Sequence, residues 1–168
     1  MAWTFGLDKL LSGDVGQDGG LGTALTEHDE TLKGTAVLDS TDPTITWIST
    51  EEKGKRKAIN QGDSETTLVF EVANPSLETQ AYYGGGTVKT DATTSKKTYS
   101  PPKGGQTLYK SFRAVTKEGF DVVIPKGGVA CKPLGGTLGT EGVLSLKVTV
   151  TAEVPDKAGL DYLYYEEK

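Results

Sequence analysis

Val143-Leu144-Ser145-Leu146-Lys147-Val148-Thr149-Val150-Thr151-Ala152-Glu153-Val154 is the stretch on which the fold class turns. Leu144, Leu146, Val148, Val150, Ala152 and Val154 fall on one side of an extended chain, and Ser145, Lys147, Thr149, Thr151 and Glu153 on the other. Side chains alternate across a strand with a period of two, so the spacing predicts a long strand with one face in a core and one on a polar surface. That division of faces belongs to antiparallel sheets, because parallel strands are covered on both sides. Pro155 has no N–H for a ladder and ends the strand.

Working back from there, the same alternation recurs. Leu108–Val115 and Phe120–Ile124 flank Thr116-Lys117-Glu118-Gly119 and predict a hairpin, with Phe120, Val122 and Ile124 on one face and Pro125 closing the return strand. Val129–Cys131 is a short strand candidate, and 135–142 a loop. Leu68–Ala73 points Leu68, Phe70 and Val72 inward, and Thr44–Thr50 points Ile45 and Trp47 to one face. Thr35–Leu38 is a further strand candidate. After Asn74-Pro75, Ser76 is placed to cap a short helix that carries Leu77, Ala81 and Tyr82 on one side and ends at Gly84-Gly85-Gly86. Between the strands, 51–66 is a long polar connection and 90–105 a Thr/Ser/Lys-rich one with Pro101-Pro102. Connections beyond about 12–15 residues are usually functional or disordered.

The two ends differ from this body. Residues 1–34 carry Trp3, Phe5, Leu7, Leu10 and Leu11, then five glycines between Gly13 and Gly22. Glycine leaves the backbone much freedom to lose, so this segment is expected to be an extended arm that becomes ordered only on another surface. Residues 155–168 form a second arm with Tyr162, Leu163, Tyr164 and Tyr165, apolar bulk that a free terminus rarely needs. The expected fold is mainly β: an antiparallel β-sandwich or barrel over 35–154, one short flanking helix, and extended N- and C-terminal arms, all in a single domain.

Composition narrows the function. The net charge of −5 does not favour general phosphate binding. The acids concentrate at the two ends, while the middle of the chain is mildly basic. Cys131 is the only cysteine, so no intrachain disulfide forms, and a reducing compartment is expected. No run approaches the ~18 apolar residues of a membrane span, and the first residues lack a basic region followed by an apolar one. The expectation is a chain made and folded in a cytoplasm, without a membrane partner.

Catalytic patterns are sparse. His28, the sole histidine, lies in the polar run Glu27-His28-Asp29-Glu30, a poor setting for a rigid base. One His and one Cys do not make a structural zinc site. Asp14–Gly19 begins like a calcium loop, but Gly16 stands where an acid or amide is needed and Leu25 where a bidentate Glu is required. The Gly-rich stretches lack the endings of phosphate or dinucleotide loops. No enzyme, cofactor or metal is expected. Lys53, Lys55, Arg56 and Lys57 cluster in the long connection, either as a solvated loop or as a contact for a partner's acidic patch or a phosphate backbone.

The order of these pieces resembles one family. Thr44-Ile45-Thr46-Trp47, a long polar hairpin loop, Leu68-Val69-Phe70-Glu71-Val72-Ala73-Asn74-Pro75 and a short helix ending in Tyr83-Gly84-Gly85-Gly86-Thr87 look like the front half of a major tail tube protein of long-tailed bacteriophages. Phe112-Arg113-Ala114-Val115-Thr116-Lys117-Glu118-Gly119-Phe120-Asp121-Val122-Val123-Ile124-Pro125-Lys126 resembles its back half, and the likeness covers about residues 35–155. It implies a structural virion protein whose copies join into six-membered rings, which stack into the tube that delivers DNA. The implied partners are further copies of the chain and other phage tail proteins, with DNA passing unbound, and the implied location is the virion tail, assembled in the host bacterial cytoplasm. The family's interaction parts would fall here on the two arms and the long loop, making Trp3, Phe5, Lys53, Lys55, Arg56, Lys57, Tyr162, Tyr164 and Tyr165 the expected inter-subunit residues. Glu71 and Glu153 are the expected lumen acids. The basic loop departs from the acidic lumens of that family. A capsid decoration or tail-completion protein and an immunoglobulin-like binding module are the alternative expectations.

Overall fold

The computed structural model describes residues 3–60, 62, 64–104, 106–132, 134–138 and 142–168. Parts of the expected arm (1–2), long loop (61 and 63), Thr-rich connection (105) and loop at 135–142 (139–141) lie outside the described residues. The elements in chain order are β1 (Phe5–Asp14), β2 (Thr26–Glu27), β3 (Val37–Ser40), β4 (Ile45–Thr50), β5 (Gly54–Asn60), β6 (Thr66–Ala73), α1 (Leu77–Gly84), β7 (Thr87–Thr90), β8 (Lys97–Ser100), β9 (Leu108–Glu118), β10 (Phe120–Cys131), β11 (Ser145–Ala152) and β12 (Tyr164–Glu167). The fold is mainly β, every pairing is antiparallel, and α1 is the one helix among the described residues.

The alternating stretch behaves as its spacing predicts in the middle. On β11, Leu146, Val148 and Val150 are buried while Lys147 is exposed, and the strand pairs with β6 through Val148↔Phe70 and with β10 through Val150↔Val129. Its end differs from expectation: Val154 is exposed, because the ladder stops at Gly127↔Ala152 and the chain turns away at the buried Pro155. The main sheet runs β2-β1-β9-β10-β11-β6-β3, with β12 continuing the β11 edge of β10 beside Phe120–Val123. Leu68, Phe70 and Val72 from β6, Phe112 and Ala114 from β9, Ile124 and Val129 from β10, and Leu10 from β1 complete one core.

That sheet curls nearly shut. Glu27 pairs with Leu11 at one edge, while Thr31 bridges Val72 at the other. Four residues extended reach at most about 14 Å, roughly three strand spacings of 4.7–4.9 Å. The two edges are therefore close, and residues 28–30 cross the seam of a barrel-like sheet. Helix α1 packs beside it against β10 and the β7–β8 hairpin. Ser76 caps the helix by accepting from the Thr79 N–H at 3.2 Å, and Gly85 ends it at φ 74, as the sequence predicts. The buried face differs: Thr79, Gln80 and Tyr83 point in, with Leu77, Ala81 and Tyr82 only half-buried. Tyr83 decides this by entering the core between Phe70 (ring centroids 5.7 Å) and Phe112 (6.4 Å), its hydroxyl 3.0 Å from the Ser12 hydroxyl.

Both expected arms are built into the domain. β1 pairs along its length with β9, from Phe5↔Glu118 to Asp14↔Lys110. The glycines that follow serve close approach rather than looseness: a Cβ on Gly22 would sit 2.0 Å from the Asp14 carbonyl oxygen, and one on Gly13 2.4 Å from that of Ala24. The tail is held by Lys157–Asp18 at 2.8 Å, Lys126–Asp156 at 3.0 Å and the Asp156 N–H to the Gly19 carbonyl at 3.1 Å before it forms β12. Pro125 does not close the return strand. It lies inside β10 at a register shift between Ile124 and Gly127, where its carbonyl accepts the Ser111 hydroxyl at 2.6 Å. The strand candidate at Val129–Cys131 is the continuation of β10, and the Thr-rich connection contains β8, which pairs back on β7.

Candidate functional site

The segment expected to run from a core strand into a long loop is instead a projecting hairpin. β4 pairs with β5 alone, from Ile45↔Asn60 through Trp47↔Ala58 to Thr50↔Gly54, with an irregularity between Ile48 and Ser49. Gly54 takes φ 63 at the tip, a left-handed turn suited to glycine. The roots are close together, since the Thr41 N–H donates to the Glu65 carbonyl at 2.9 Å and the Glu65 N–H to the Thr41 hydroxyl at 2.9 Å. Every residue of β4 is exposed, including Ile45 (54%), Trp47 (48%) and Ile48 (47%). The alternation puts Ile45 and Trp47 on one face and Ile48 on the other, so apolar side chains stand on both faces of the ribbon.

A lone two-stranded hairpin is only marginally stable in water. This one also carries three large apolar side chains, each worth about 1.5–3 kcal/mol if fully buried. Isolated exposed apolar residues are ordinary, and three on one short two-stranded element make it the candidate site here. Lys53, Lys55, Arg56 and Lys57 are all exposed on the same hairpin, against Glu51 and Glu52. The Lys55 ammonium stands 5.3 Å from the Trp47 ring centroid, which joins the basic cluster to the apolar one. Sequence alternation missed Ile45 and Ile48 as surface residues because it reports faces and not what covers them.

The other expected contact residues fall at two places. Phe5 (54% exposed) stands opposite Glu118, next to the β9–β10 turn, and Phe120 on the far side of that turn meets Tyr165 edge-on at 5.0 Å. Tyr165 (54%) is exposed, Tyr164 half-buried, and Trp3 is the most exposed of the set at 85%. Arg113–Glu166 and Lys168–Asp121 ion pairs hold this last strand in place. Tyr162 is separate: it shares a hollow with Gly62, Ser64, Glu65, Ala152 and Val154 at the root of the β4–β5 hairpin. Three of the expected aromatics thus meet solvent near one turn or the hairpin root rather than on free arms.

Glu71 and Glu153 lie on the same outer face of the sheet. Glu71 is paired with Lys147, six residues before Glu153 on the continuing chain, and the Glu153 N–H still donates to the Lys126 carbonyl at 2.9 Å. The Glu71 carboxylate accepts the Ser145 hydroxyl at 2.8 Å. On β6 and β11 the rest of that face is Thr67, Val69, Lys147, Thr149 and Thr151, and β3 adds Val37 and Asp39 opposite Val69 and Thr67.

His28 is not the solvated residue its sequence neighbours suggest. It is half-buried, its ring stacked on Tyr82 with centroids 3.9 Å apart. Cys131 lines a cavity of about 440 Å³ with Gln80, Gly84, Tyr99, Pro101, Pro102, Leu134 and Leu146, and burial pushes its thiol up to about 11, away from a reactive thiolate. No helix among the described residues is long and apolar enough to cross a membrane. No protein-family model matches the chain, and no curated protein is significantly similar to it.

Proposed function

We propose that the chain is a structural virion protein whose copies assemble into rings that stack as the tail tube of a long-tailed bacteriophage, with DNA passing through the bore. The observation that carries this reading is the β4–β5 hairpin: Ile45, Trp47 and Ile48 are exposed beside four basic residues on an element with no partner strand outside itself among the described residues. Such a ribbon gains its stability by burial against another surface, and the rest of a chain of net charge −5 is acidic enough to receive it. The aromatic group at Phe5, Phe120 and Tyr165 offers a second contact. Under this reading Glu71 and Glu153 face the bore, and with Asp39 they outnumber Lys147 on that outer sheet face, which suits a wall that does not hold phosphates. Neither a catalytic role nor a cofactor is part of the proposal.

Sedimentation over a range of concentrations, with negative-stain electron microscopy of the same samples, tests it. Rings or tubes that grow with concentration are expected, and assembled tubes should not retain duplex DNA at physiological salt. A lone 17.8 kDa species at high concentration overturns the reading. A trimer that never elongates points to a capsid-decoration role instead.

A further inference from the structure

The seam of the barrel is crossed by a short segment held at three backbone positions. The Leu32 N–H donates to the Glu71 carbonyl at 2.7 Å, the Ala73 N–H to the Glu30 carbonyl at 2.9 Å, and the Ser76 N–H to the Asp29 carboxylate at 2.8 Å. Asp29 takes φ 57 to make that last contact. Between the edges sits His28, stacked on Tyr82 at an interplanar angle of 18° and edge-on to Tyr83 at 6.1 Å, with Nε2 3.2 Å from the Thr26 hydroxyl. Lys110 of β9 places its ammonium 4.1 Å from the same Tyr82 ring centroid and pairs with Asp14 of β1 at 2.5 Å. One aromatic ring therefore already carries a cation beside the histidine.

We propose that His28 is a proton-operated latch on this seam: neutral, its ring seals residues 28–31 onto Tyr82; protonated, it competes with the Lys110 ammonium at that ring and the segment lifts from the barrel. The groups facing His28 are Lys110 on β9, Asp14 on β1, Tyr82 and Tyr83 on α1, and Asp29 beside it. Burial and then Lys110 lower its pKa from 6.5, while Asp29, the Ser12 backbone and Asp14 pull upward without cancelling them. The open segment, with an ordinary histidine, takes up the proton first. Closure is therefore complete above pH 6.5, weakens as the pH falls through 6.5, and levels off below the depressed pKa. His28 is the only histidine in the chain, so no other side chain of ordinary pKa titrates between pH 7.0 and 5.5.

The test is amide hydrogen exchange on the full chain at pH 7.0 and 5.5, corrected for the intrinsic rate, alongside NMR titration of the His28 ring. The opening constant read at Leu32, Ala73 and Ser76 should rise severalfold on acidification from pH 7.0 to 5.5, with a ceiling of about eightfold set by the open histidine's ordinary pKa of about 6.5. Phe70 and Val150 in the core should keep their protection. His28→Phe keeps a stacked ring that cannot take a proton and should abolish the pH dependence; His28→Gln serves the same purpose should the phenylalanine variant not fold. Lys110→Met should shrink the pH dependence without removing it. The latch is refuted by unchanged exchange in the wild type, an equal loss in His28→Phe, equal loosening of the core, or a ring titration midpoint at or above 6.5.

Discussion

Strands β4 and β6 carry comparable apolar residues, yet they meet opposite fates. Leu68, Phe70 and Val72 of β6 are at most 4% exposed, whereas Ile45, Trp47 and Ile48 of β4 are about half exposed. The difference lies in their neighbours. β6 has β11 on one side and β3 on the other, with the core beneath it, while β4 has β5 alone. An apolar side chain on a strand stabilises the fold only where a second layer removes it from water. On β4 the same chemistry stays in contact with water.

Substitutions that treat the two strands alike should give very different results. The largest effect is expected from Val148→Asp on β11, which is fully buried opposite Phe70: an unpaired carboxylate there should leave no folded protomer by circular dichroism. Thr149→Asp, one residue along on the outer face, should keep a cooperative melt. Equal melting of the two would break the assigned register. Phe112→Ala removes a ring that touches both Phe70 and Tyr83 and should cost about 3–5 kcal/mol in denaturant unfolding. Gly127→Ala comes next, because its Cβ would lie 2.3 Å from a Val150 methyl carbon. A clear fall in melting temperature is expected, and a neutral result would mean that the β10 irregularity yields easily.

The hairpin should respond in the opposite sense. Trp47→Ala and Ile48→Ser should change protomer stability by only about 0.5 kcal/mol or less, as surface substitutions do, while abolishing higher-order species in sedimentation. Replacing residues 45–60 with a short glycine turn should also leave the core melt intact, since the Thr41–Glu65 contacts already hold the roots together. A core that unfolds on that deletion would erase the distinction between the two strands. The smallest effect is expected from Glu78→Gln. Its pair with Lys97 is more than half exposed, and such pairs contribute about 0–1 kcal/mol.

The sequence by itself determined the elements whose rules are local. Alternation from Leu146 to Val150 and from Leu68 to Val72 specifies which face is buried, because pleating alone sets the side of each residue. Ser76 and Gly85 delimit α1 because capping uses groups within one turn. The basic cluster and the aromatic tail were also visible as residues with no evident place in a small core. The tertiary structure decided what each surface meets. Whether Phe5–Asp14 floats free or joins β9, whether Ile45 and Trp47 are covered, and whether His28 faces water or Tyr82 all depend on partners dozens of residues away. The glycines at 13 and 22 illustrate the reason: the same missing Cβ means freedom in an isolated segment and close backbone approach in a packed one, and only the position of the Asp14 and Ala24 carbonyls distinguishes the two.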